Sequence, residues 1–186
     1  MMQDPIAHLL DEHREIMAHV ADLRHAVRML AERGDEALAD SLPVLRAVGR
    51  MMGTQLLSHA RKEDEALFPA LERILGAGGG PTEVMRLEHR DIHAQAGLFR
   101  RTLQELNEVE HPAIVQGGAS LRGLAESGGS AEELRRTGET IIRLLDMHFG
   151  KEEEILFPMA RQILSPEALR EVARQMEALE AAPAAG

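Results

Sequence analysis

The stretch His59–Pro69, HARKEDEALFP, returns as HFGKEEEILFP at His148–Pro158, 89 residues later. Both read H-x-x-K-E-x-E-x-L-F-P, so each holds a histidine and a glutamate four residues apart. On an α-helix such residues differ by about 40° in direction and about 6 Å in height, so His59 and Glu63 project to one side, as do His148 and Glu152. Their surroundings are helical. Leu45, Val48, Met52, Leu56, His59, Glu63, Leu67 and Ile74 form one stripe and predict a helix over 41–75. Leu134, Thr137, Ile141, Leu144, His148, Glu152, Leu156, Met159 and Ile163 form another, opened by the capping box Ser130-Ala131-Glu132-Glu133. Pro69 and Pro158 fall inside these stripes and are expected to bend or interrupt the helices.

Two further helices complete the pattern. Ile6, His13, Val20 and Val27 recur every seven residues, with Leu9, Ile16, Leu23 and Leu30 between them, as on a bundle helix. After the break Gly78-Gly79-Gly80-Pro81, a third helix carries Met85, His89, Ile92, Ala96, Phe99, Leu103 and Leu106 on one face. His13 lies in EHREI and His89 in EHRDI, 76 residues apart. Each half is therefore an EHR-acid-Ile helix followed by an H-x-x-K-E helix. The expected fold is all-α: an up-down-up-down four-helix bundle with a pseudo-twofold repeat. One domain spans 1–181, with a glycine-rich connector insertion over 108–129 holding a short helix near 113–126, and a C-terminal helix over 166–180. The tail, 182–186, is expected to fray.

Composition narrows the partners. The chain has 186 residues and a formal charge of −10, which argues against nucleic-acid and anionic-membrane partners. Cysteine is absent, excluding disulfides, thiolate nucleophiles and iron–sulfur clusters. No apolar run approaches a membrane span of about 20 residues, and the N-terminus lacks a signal-peptide pattern, so a cytoplasmic location is expected. Tyrosine and tryptophan are also absent, leaving aliphatic residues, four phenylalanines and ten methionines to fill the core.

A pseudo-twofold axis would bring the repeat's histidines and glutamates to one level. His93, four residues after His89, joins them, so the inward groups are His13, His59, Glu63, His89, His93, His148 and Glu152. Buried carboxylates are costly unless something pairs with them. A pair of metal cations removes the difficulty, with imidazoles as terminal ligands and Glu63 and Glu152 as bridges.

With these motifs the chain resembles the hemerythrin-like, or HHE cation-binding, family, in its bacterial branch. The family pattern H…HxxxE…H(xxxH)…HxxxE is matched by His13, His59/Glu63, His89/His93 and His148/Glu152, over roughly residues 6–164. The resemblance implies two non-haem iron ions, carboxylate-bridged with an oxo or hydroxo bridge, and binding of O2, with relatives linked to NO, peroxide or iron handling. The last motif here is HxxxE, whereas the family's oxygen carriers have HxxxxD. Three function classes follow: a protein that binds or senses O2, NO or peroxide; an enzyme reducing one of them; and an iron-handling, repair or structural metal protein. A ferritin-like site would need two inward ExxH motifs, and only Glu108–His111 has that spacing. Haem would leave the glutamates unpaired.

The repeat fails at one informative place. Aligning EHREI with EHRDI pairs His93 with Met17. One iron would then have His89, His93 and His148, and the other His13 and His59, with Met17 lining a gap for a small ligand. Glu12, Glu65, Glu88 and Glu154 are expected to be solvated, or alternatively to support the ligands from behind, and His8, His19, His25 and His111 to lie on the surface. Phe68 and Phe157 are expected to plug the core beneath the site.

Overall fold

Asp4 caps the first helix by accepting the Ile6 N–H at 3.0 Å, and Pro5 occupies the first turn, where its missing N–H has no helical partner to lose. Helix α1 (Pro5–Arg33) ends at Gly34, whose φ of 56° is a left-handed value that suits glycine. A 3₁₀ turn, Gly34–Ala37, leads into α2 (Leu38–Gly53). The second rod resumes as α3 (Gln55–Lys62), a π turn (Glu63–Leu67) and α4 (Phe68–Leu75). The third rod is α5 (Pro81–Val115). The fourth comprises α6 (Ser130–Lys151), a second π turn (Glu152–Leu156) and α7 (Phe157–Ile163). Helix α8 (Pro166–Ala181) follows, its first turn capped by Ser165 Oγ, which accepts the Ala168 N–H at 3.2 Å. This computed structural model describes residues 4–76, 78, 80–115 and 130–181, and no strand occurs among them.

The rods pack as an up-down-up-down bundle: α1 against α2 and α6, and α5 against α6 and α2. Helix α8 lies against α1, α3 and the first π turn. Where α1 and α6 approach, a Cβ added to Gly138 would stand 2.7 Å from Val27 Cγ2 and 3.4 Å from Leu23 Cδ1. Gly138→Ala is expected to cost about 1–3 kcal/mol through overpacking, measured by denaturant unfolding.

Two expectations are corrected and a third is refined. The second rod is not continuous over 41–75. It starts at Leu38 and breaks at Thr54 (φ −128°, ψ −78°), whose hydroxyl donates to the Arg50 carbonyl at 3.0 Å. The third rod does not stop near Leu106 but runs to Val115, through Pro112 and short of Gly117, the first glycine of the connector. The rest of the connector and the 182–186 tail lie outside the described residues. Finally, the α-helix is interrupted before each proline, as expected, but by a π turn that leaves the rod unbroken. In each motif the Phe N–H bonds five residues back, Phe68 to the Glu63 carbonyl and Phe157 to that of Glu152. Widening that turn relieves the clash a proline ring makes with the carbonyl four residues before it. It also shifts the apolar stripe. Leu71 and Ala160 are fully buried, while Ile74 is 54% exposed and Met159 and Ile163 are only partly buried. Upstream, Leu145 takes the core position expected of Leu144.

The core has two apolar layers. One contains Ile16, Val20, Leu56, Ile92, Phe99, Leu145 and Phe149. The other contains Leu9, Leu67, Phe68, Met85, Leu156 and Phe157, joined by Val172 and Met176 of α8. His13 stands between Leu9 and Ile16 on α1, His89 between Met85 and Ile92 on α5, and His148 between Leu145 and Leu156. Between the apolar layers lies a polar one.

Candidate metal centre

Six of the seven expected ligands meet in that polar layer. His13, His59, Glu63, His89, His148 and Glu152 are each at most 3% exposed. They form two groups, His13/His59/Glu63/Glu152 and Glu63/His89/His148/Glu152, whose ligand atoms lie within 4.8 Å of one another. Both glutamates belong to both groups. The pseudo-twofold is visible in the rings: His13 and His59 meet edge to face at 4.7 Å, and so do His89 and His148.

The inner nitrogens approach the glutamate oxygens without hydrogen-bonding to them. Nε2 of His13 and of His148 lie 3.2 and 3.1 Å from Glu152, and Nε2 of His89 and of His59 lie 3.3 and 3.5 Å from Glu63. Even so, none of the four glutamate oxygens has a hydrogen-bond partner, and all are inaccessible to solvent. His13 Nε2 and His59 Nε2 face each other at 3.0 Å.

Each ring's outer nitrogen is fixed by a carboxylate. Nδ1 of His59 is 3.0 Å from Glu12, and that of His148 is 3.0 Å from Glu88. Nδ1 of His13 is 2.8 Å from Glu153, and that of His89 is 3.1 Å from Asp64. These pairs obey the repeat: Glu12 matches Glu88, and Asp64 matches Glu153. An Nδ1–H donated outward leaves the Nε2 lone pair facing inward and makes it a better donor to a cation. The repeated lysine has a place too, since Lys62 pairs with Glu12 and Lys151 with Glu88.

Glu12 and Glu88 thus take the supporting role that was the alternative to solvation; each is 20% exposed and holds a ring. Sequence reasoning missed Asp64, Glu153 and both lysines, although their repetition at matching places in both halves was a usable signal. His8 is half-buried against Glu180 and so departs from the surface role expected of it. Glu65 and Glu154 are exposed as expected, and Phe68 and Phe157 are buried, with Phe68 stacked 5.7 Å from His89. Glu88→Ala is expected to weaken cation binding about 10–100-fold with helix content unchanged, measured by competitive metal titration and circular dichroism.

Charge follows from this geometry. Burial opposes a positive His89, yet the hydrogen bond to Asp64 and the nearby Glu63 carboxylate outweigh it and hold the ring up to about 10. His13 and His148 are raised likewise, burial being overcome mainly by Glu152. Burial pushes Glu152 up, but His13 and His148 hold it well below the usual carboxylate range. Glu12 is brought to about 2, burial again being outweighed by His59 and Lys62. Without a cation, then, protons on the imidazoles balance the carboxylates.

His93 stands apart from both groups. It is half-buried on α5, its ring stacked 6.4 Å from His89, with Nε2 buried and unpartnered. It also lines a cleft with Gly53, Leu57, Ser58 and Asp64. Burial, and then the charge of His89, hold its ring below the usual value. Met17 is partly buried against the first apolar layer. Phe149 stacks on His13 at 3.8 Å, and its repeat counterpart is the small Ala60, so the two halves differ around their histidines.

The donor set fits a metal. Ligand atoms about 2.1 Å from a cation lie up to about 4.2 Å apart across it, the spacing scale of these groups. Imidazole nitrogens with carboxylate oxygens suit a transition-metal ion, and four solvent-free carboxylate oxygens without partners call for positive charge. Fold and centre define a four-helix bundle with a buried histidine–carboxylate site able to hold metal. The family model of the hemerythrin HHE cation binding domain matches residues 4–110 and 102–182. The chain belongs to that family, whose domain binds cations, typically iron. No curated protein matches it significantly.

Proposed function

We propose that the chain is a non-haem diiron protein that binds or senses O2 or a related small ligand, NO or peroxide. The observation that carries this reading is that two ligand groups share both glutamates. Glu63 and Glu152 would help hold iron at both positions, with His13 and His59 at one and His89 and His148 at the other. His93 supplies the seventh ligand through its unpartnered Nε2. Bound iron supplies reversible electron donation to the small ligand, and the outer carboxylates keep the imidazoles oriented toward it.

The ligand enters at the His13/His59 position, where Met17 stands in place of a fifth imidazole and Phe149 forms an apolar wall that excludes water. A net charge of −10 favours neither nucleic acid nor an anionic membrane as partner. No helix among the described residues is long and apolar enough to cross a membrane, and we place the protein in the cytoplasm on the sequence pattern.

Metal analysis with optical spectra of the anaerobically reduced protein, titrated with O2, NO and peroxide, tests the reading. A stable, reversible O2 or NO band supports it; repeated consumption of the added ligand would replace it with an enzyme. Met17→His is expected to suppress azide and O2 binding while both irons are retained. If the variant loads both irons and binds azide like the wild type, the vacant position lies elsewhere.

A further inference from the structure

The two halves of the repeat treat their lysines differently. Lys151 pairs with Glu88 and is 36% exposed. Lys62, its counterpart, is only 1% exposed, and its ammonium meets two carboxylates: Glu12, and Glu180 near the end of α8. His8 Nε2 closes the cluster, 2.7 Å from Glu180 and 3.1 Å from Lys62 Nζ. The imidazole and carboxylates of His8, Glu12 and Glu180 lie close enough to hold a cation, but the Lys62 ammonium already serves as that cation. The cluster leads directly to the metal centre, because the other oxygen of Glu12 accepts the His59 Nδ1–H at 3.0 Å.

Counting charge shows the consequence. Lys151 and Glu88 cancel. Lys62 with Glu12 and Glu180 leaves one negative charge over; Lys62 and His59 are buried, whereas Glu180 is 41% exposed, so water screens part of its effect. A buried ammonium facing Glu12 alone would draw that carboxylate's charge away from His59. Glu180 takes up part of the ammonium and returns Glu12 to the imidazole. A more strongly polarised Nδ1–H makes Nε2 a better donor to a metal ion.

We propose that Glu180 is a positioning residue for the metal centre: acting through Lys62 and Glu12 on His59, it strengthens cation binding at the His13/His59 position and makes the two metal positions inequivalent. The C-terminal helix, outside the four-rod repeat, is thus an electrostatic part of one half of the site. This rests on the paired-metal reading above.

The test uses the full-length, metal-free chain titrated with Co2+, followed by calorimetry and by the paramagnetically shifted, exchangeable histidine N–H resonances. Wild type is expected to take up two Co2+ in distinguishable steps. Glu180→Gln should keep two Co2+ but weaken one step about 3–10-fold, less than loss of a direct histidine partner, and should move the His59 N–H resonance. Glu177→Gln removes the same charge from an exposed position on the same helix and should leave both steps and the resonance unchanged. Equal weakening by the two variants would show a general charge effect and overturn the proposal. So would an unchanged Glu180→Gln, or one in which both steps fall together. A wild-type chain that binds fewer than two Co2+ would bring down the paired-metal reading and this inference with it. Two Co2+ with no response to Glu180→Gln would bring down the inference alone.

Discussion

Glu63→Ala and Glu152→Ala are each expected to drop iron content from about two per chain to about one or fewer, because each glutamate serves both positions. The geometry gives no substitute. Glu12, Asp64, Glu88 and Glu153 are engaged on the outer ring nitrogens. Glu65 and Glu154, two residues from the bridging pair, are exposed on the far side of the helix. Glu65→Ala and Glu154→Ala are therefore matched controls that should load fully. Metal analysis after anaerobic reconstitution reads the difference, and circular dichroism separates loss of metal from loss of fold. Full occupancy with unchanged optical spectra in both bridging variants would remove the site from its proposed place.

How much of this was legible can be traced residue by residue. The stripes of α1 and α5 could be read because a buried face repeats with the helical period, and every described member of both is buried. The inner ligands stood out because histidine and glutamate are anomalous in such a stripe. The outer carboxylates were not anomalous. Glu12 and Glu88 occupy positions where a solvated acid is ordinary, and only the packing of neighbouring helices brings them to His59 and His148. The link from Lys62 to Glu180 spans 118 residues and has no local signature at all. The π turns left one trace, the Phe-Pro pair, which announces a disturbed helix without saying whether it breaks or widens. Because they widen, the stripe slipped past each glutamate, and Ile74 was misplaced on the core face. His93 was read from spacing alone, which sets the direction of its side chain; its ring stands 6.4 Å from that of His89, outside both ligand groups.

Chelating the metal is expected to lower the melting temperature by on the order of 10 °C, since metal at a thousandfold its Kd contributes about 4 kcal/mol and each kcal/mol moves a chain of this size about 2–4 °C. The gap should depend on pH in a definite direction. In the metal-free bundle, His13, His89 and His148 are raised above the ordinary 6.5, His89 to about 10. A raised imidazole contributes stability that is fully present below its unfolded value and is lost as pH rises through its folded one. Glu12 and Glu152 are lowered below 4.5, so their contribution is present above that value and is lost only as pH falls through the folded one, about 2 for Glu12. The metal-free chain should therefore lose stability as pH rises from about 6.5 toward about 10. Metal binding displaces the imidazole protons, so its own contribution grows over the same interval. Melting curves at about pH 6 and about pH 9, with Fe2+ held anaerobically and with chelator, should show the gap widening with pH. Coincident curves, or a gap that narrows toward pH 9, would mean that these histidines and glutamates do not share one buried centre with the metal.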